Sequence, residues 1–111
     1  MAKKRTLSPE QDRAANPTEN VWVQANAGTG KTSVLVQRLL RILFRTPDCC
    51  ASGILCLTYT NAGAGEMRNR ILDALREWAT ATDGELVELL DGVAINRPAT
   101  SDDIAHAREI F

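Results

Sequence analysis

The sequence predicts an α/β fold with a short parallel sheet, on three observations. Val21, Trp22 and Val23 form a β-branched and aromatic run of strand character. From Thr32 the period becomes helical, with apolar residues at Val34, Leu35, Leu39, Ile42 and Leu43. Ile54, Leu55, Cys56, Leu57, Thr58 and Tyr59 then make a nearly continuous apolar run, as a parallel strand covered on both faces requires. Strand, helix and strand in that order give a right-handed βαβ unit.

The elements follow in order. In Leu7-Ser8-Pro9-Glu10-Gln11, Ser8 suits an N-cap, Pro9 the first helical position, and Gln11 completes a capping box. A short helix to about Ala15 follows, then a turn through Asn16, Pro17, Thr18, Glu19 and Asn20. The helix opened by Thr32 should end near Phe44 or Arg45, because Pro47 disfavours helical geometry at Thr46. Thr58, Tyr59, Thr60 and Asn61 lead into a helix striped by Met67, Ile71, Leu75 and Trp78. Gly63 and Gly65 near its start cost about 1 kcal/mol each relative to alanine where interior, which predicts a frayed or close-packed first turn. Glu85 to Leu90 reads as a short helix, Asn96, Arg97 and Pro98 break the chain, and Thr100 with Asp103 caps a last helix running to Phe111. That helix carries no stop signal, so the chain is expected to be cut from a longer one.

Gly28, Gly30, Lys31 and Thr32 occupy the junction between the first strand and its helix. A polyphosphate held in such a turn needs inward backbone N–H groups, which glycine permits by accepting positive φ. The helix N-terminus adds unpaired amides and partial positive charge. Lys31 would reach the β- and γ-phosphates as a point charge, and the Thr32 hydroxyl would ligate Mg²⁺.

The 111 residues fit one domain, and an apolar fraction of 44% excludes a disordered tail. A net charge of −1 lacks the basic footprint of a self-sufficient nucleic-acid binder, so any such contact must be local. Cys49, Cys50 and Cys56, with the single His106, match neither a disulfide framework nor a zinc site. A reducing cytoplasm is the simple inference. No apolar region follows Lys3, Lys4 and Arg5, so no signal peptide is read, and no run approaches the roughly 20 residues that span a bilayer.

Three segments agree in order and spacing with one family. Ala25-x-x-Gly28-x-Gly30-Lys31-Thr32, with alanine where the general Walker A pattern has glycine, resembles motif I of superfamily 1 helicases of the UvrD/Rep/RecB class. Leu7 to Gln11 resembles their Q motif, whose glutamine reads the adenine ring. Leu57-Thr58-Tyr59-Thr60-Asn61 with Glu66-Met67 is similar to motif Ia, which borders the path of single-stranded DNA. The later helical stretch, closing in Ala105-x-Ala107-Arg108-x-x-Phe111, looks most like the start of the AddA helicase–nuclease subunits of bacterial double-strand-break repair.

The resemblance implies a P-loop NTPase: the N-terminal part of a RecA-like helicase lobe (1A), then the start of a helical insertion. Residues 1–80 would form the UvrD-like ATP-binding core, and residues 81–111 a truncated helical subdomain. ATP and Mg²⁺ are the implied cofactors, held by Gln11, Ala25, Asn26, Ala27, Gly28, Thr29, Gly30, Lys31 and Thr32. Lys31 and Thr32 are the implied catalytic residues, and Thr32 carries the metal. Tyr59, Thr60 and Asn61 would face DNA. The implied activity is ATP-driven translocation and strand separation, with no membrane and with an AddB-like partner subunit.

Gly63 and Gly65 depart from the family, which usually has alanine there, and Ala62 lies near a position that is often basic. No Asp-Glu pair follows an apolar strand, so the second Mg²⁺ anchor and the group that polarises the attacking water are absent from these residues. A stand-alone ATP-binding module without turnover and a small P-loop kinase are therefore the alternatives. Gln11 reads either as a capping residue or as an adenine reader, and Tyr59 as core or as a base-stacking platform. Thr60 and Asn61 read as phosphate donors or as caps. Trp22 and Trp78 read as core, Arg68, Arg70 and Arg76 as a solvated face, and His106 as incidental to function.

Overall fold

Side-chain caps set where the helices begin. The computed structural model describes residues 7–24, 30–45, 51–91 and 99–110. Among them stand helices α1 (Pro9–Ala14), α2 (Lys31–Arg45), α3 (Asn61–Thr80), α4 (Asp83–Asp91) and α5 (Ser101–Ile110), with a single 3₁₀ turn at Ala51–Gly53. At α1, Gln11 N donates to Ser8 Oγ at 3.2 Å while Gln11 Oε1 accepts from Ser8 N at 3.0 Å, closing the capping box. Thr82 and Glu85 repeat the device at α4, and Thr100 and Asp103 at α5. Thr60 caps α3 by accepting from Gly63 N at 2.9 Å.

The apolar faces of α2, α3, α4 and α5 meet in one core. Val36, Leu40 and Phe44 come from α2, Leu75 and Trp78 from α3, Leu86 and Leu90 from α4, and Ala107 from α5. Phe44 meets Trp78 edge to face at 6.1 Å between ring centroids, the arrangement that aromatic quadrupoles favour. His106 Nε2 lies 2.9 Å from the Phe44 carbonyl. That oxygen only accepts, so Nε2 carries the proton and His106 satisfies a last-turn carbonyl of α2. Arg108 secures the junction between α3 and α4 by donating to the carbonyls of Ala79 and Ala81 and to Asp83 Oδ1.

The α/β expectation fails: among the described residues there is no strand, and the predicted parallel sheet is not present. Residues 21–24 and 54–58 carry no ladder. A strand is stabilised by the backbone bonds and cross-strand contacts of its neighbours, and two short apolar runs that do not pair supply neither. Their side chains stay in solvent. Trp22 is 89% exposed, Leu55 81% and Leu57 82%, so Trp22 is not the core residue its run predicts, whereas Trp78 is buried at 3%. The breaks expected around Pro47 and at Asn96, Arg97 and Pro98, together with Cys49, Cys50 and Phe111, lie outside the described residues.

The two glycines of α3 separate in kind. A Cβ on Gly63 would stand 2.9 Å from the hydroxyls of both Thr58 and Thr60, so the first turn is close-packed there. A Cβ on Gly65 would meet nothing within 4 Å. Gly65→Ala is expected to stabilise the chain by about 0.5–1 kcal/mol, through lower unfolded-state entropy and better helix propensity. Gly63→Ala is expected to destabilise it, and thermal denaturation of the two variants checks the opposite signs.

Candidate functional site

The N-terminus of α2 collects the described part of the predicted site. Gly30 precedes the helix at φ +85°, a left-handed conformation that glycine accepts without strain. The first backbone bond of the helix runs from Val34 N to the Gly30 carbonyl at 3.0 Å, so the amides before Val34 lie ahead of the helix's own ladder. Lys31 and Thr32 are the first two helical residues, Lys31 exposed and Thr32 half-buried. The first turn of α2 has no acidic residue, whereas α1, α4 and α5 each place carboxylates there. The positive end of the α2 dipole therefore has no carboxylate of its own first turn beside it, an arrangement that fits an anionic group. Ala25, Asn26, Ala27, Gly28 and Thr29, the remainder of the predicted loop, lie outside the described residues.

Gln11 is brought to the same place from a distant part of the sequence. A Cβ built on Gly30 would stand 3.2 Å from Gln11 Nε2, so the amide of Gln11 abuts the glycine. The capping role and this position coexist. Oε1 is engaged by Ser8 N, which fixes the amide with Nε2 toward Gly30.

Two residues that sequence reasoning missed hold α1 in position. Arg38 Nη1 donates to the carbonyls of Ala14 at 3.2 Å and Asn16 at 2.6 Å, and Nη2 to that of Glu19 at 2.5 Å. Arg41, with its side chain 6% exposed, donates to Asp12 Oδ1 at 2.6 Å and to the Asp12 carbonyl at 3.2 Å. Burial first, and then the neighbouring Arg41, push the Arg45 guanidinium below its ordinary pKa, while Asp12 partly opposes the shift. The readable signal was an arginine inside the apolar run Leu39, Leu40, Arg41, Ile42, Leu43, since an arginine among buried positions needs partners.

The predicted DNA-facing residues sit at the head of α3. Tyr59 is fully exposed, which removes its core reading. Thr60 is the N-cap and Asn61 the first helical residue, also exposed. Behind them, Ile54, Cys56 and Thr58 line a groove of about 330 Å³ together with Leu39 and Leu43 of α2 and Met67 of α3. Arg70 pairs with Glu66 and Arg76 with Asp73 on the outer face of α3. Among the described residues no helix is long and apolar enough to cross a membrane.

Comparison with known proteins adds relatives to this geometry. The family model described as UvrD/REP helicase N-terminal domain matches residues 7–101. The chain is 42% identical over 86 residues to the AddA subunit of the ATP-dependent helicase/nuclease of Levilactobacillus brevis, covering 77% of this chain and 7% of that protein. It is 41% identical over 83 residues to the protein of the same name from Alkaliphilus oremlandii, covering 73% of this chain and 7% of the relative. The counterpart from Carboxydothermus hydrogenoformans is 48% identical over 69 residues, 60% of this chain and 6% of the relative. The chain thus spans under a tenth of the length of these curated relatives. No solved structure matches it.

Proposed function

The chain belongs to the UvrD/REP helicase N-terminal domain family, and on that premise we propose that it is the opening, ATP-binding segment of an ATP-dependent DNA helicase acting in DNA repair. The observation that carries the reading is the meeting of Gln11 with Gly30 at the head of the helix that Lys31 and Thr32 begin. In this reading α2 presents its N-terminal amides and Lys31 to the phosphates of ATP, and Gln11 contacts the adenine edge. Lys31 neutralises charge on the γ-phosphate as it passes to water. The Thr32 hydroxyl holds Mg²⁺, which when bound offsets the charge of the phosphate oxygens. Residues 25–29 complete the loop, and residues 1–80 carry the nucleotide site while residues 81–111 begin a helical subdomain.

Tyr59 offers a ring for stacking on a base of single-stranded DNA, with Thr60 and Asn61 beside it. Its exposure supports this assignment. The relatives are named as one subunit of a helicase/nuclease, which supports a partner of AddB type, and the repair role supports a cytoplasmic location.

The test is nucleotide hydrolysis by the native polypeptide, with and without single-stranded DNA. DNA-stimulated ATP hydrolysis, with the ATP-over-GTP preference lost in Gln11→Ala, is the expected result. Phosphate transfer to a small acceptor would instead assign a kinase. Tight ATP binding without turnover would assign a nucleotide-binding module.

A further inference from the structure

We propose that Arg38 is a positioning residue for base selection, one that makes α2 a ruler between the phosphate contacts and the base contact. The inference rests on the reading of Gln11 as the group that meets the adenine. Helix α1 has only six residues and buries none of them, so hydrophobic packing of its own side chains does not fix Gln11. What ties its end down is the Arg38 guanidinium, which gathers the carbonyls of Ala14, Asn16 and Glu19. These three oxygens span the last residue of α1 and the turn that follows. Arg38 lies seven residues after Lys31, so the two share a face of α2 and are separated by about 10 Å of helix rise. One rigid helix therefore carries the phosphate-gripping end and the fork that anchors the base-contacting helix. A planar guanidinium can serve three acceptors at once in a fixed geometry, which an ammonium on a flexible stem does not do.

Equilibrium binding of ATP and GTP to the native polypeptide tests this, for wild type, Gln11→Ala, Arg38→Met, Arg38→Lys and the double variant Gln11→Ala/Arg38→Met. Methionine keeps the apolar stem and removes the donors. Arg38→Met is expected to weaken ATP binding about tenfold, the scale of one lost base contact, and GTP binding less than about twofold. Arg38→Lys should restore part of the preference. In the Gln11→Ala background, Arg38→Met should leave the ATP-to-GTP ratio unchanged, because the group it positions is already gone.

Equal weakening of both nucleotides by Arg38→Met would overturn the inference and leave Arg38 a general stabiliser. If Arg38→Met does not fold, Arg38→Lys decides, and a wild-type ratio there overturns the inference as well. Should Gln11→Ala itself keep the wild-type ratio, the base-reading assignment fails and the inference with it. A ratio lost in Gln11→Ala but kept in Arg38→Met would remove the role of Arg38 alone.

Discussion

Lys31→Ala is expected to abolish ATP turnover by the native polypeptide while leaving its folded structure in place. Charge-stabilising groups in phosphoryl transfer are worth about 10³-fold or more in rate, and Lys31 is the cation at the head of α2. Its exposure means that substitution should change stability by no more than about 0.5 kcal/mol. Steady-state hydrolysis beside circular dichroism separates the two effects. Residual activity within tenfold of wild type would show that this helix terminus is not the catalytic one.

The largest stability effect is expected at Trp78. The residue is 3% exposed and meets Phe44 edge to face, at the centre of a cluster drawn from four helices. Trp78→Ala should cost about 3–5 kcal/mol, from lost transfer free energy and the cavity left behind. Against a total stability of about 5–15 kcal/mol for an ordinary domain, that is enough to unfold much of the population. Trp22→Ala, at a residue 89% exposed, should stay within about 0.5 kcal/mol of wild type. Urea denaturation of both variants checks the contrast, and similar midpoints would place the core elsewhere.

The contrast between the tryptophans shows what the sequence makes legible. Helix starts were readable because their information is local: Ser8 with Gln11, and Thr100 with Asp103, close over three residues, and the structure has both caps. The stripe of α3 was readable for the same reason, and Leu75 and Trp78 are buried where the period puts them. The sheet was misread because strand formation is not local. Apolar content qualified residues 21–23 and 54–59 as strands, but nothing within those runs states whether a partner lies alongside. Gly30, Lys31 and Thr32 could be placed at a helix head from their spacing alone. The arginines that bring Gln11 to Gly30 were not found, because their acceptors are main-chain carbonyls and the Asp12 carboxylate, 19 to 29 residues away along the chain.

The uncovered run at residues 54–59 has a consequence for handling the protein. It is six residues long, holds no charge and no proline, and alternates outward Leu55, Leu57 and Tyr59 with groove-lining Ile54, Cys56 and Thr58. A backbone stretch of that composition, with no ladder to occupy its N–H and C=O groups, is a template for strand addition from another molecule. Colloidal behaviour is therefore governed by six residues rather than by net charge. A lysine in place of Leu57 acts as a gatekeeper there, raising solubility without touching the helical core.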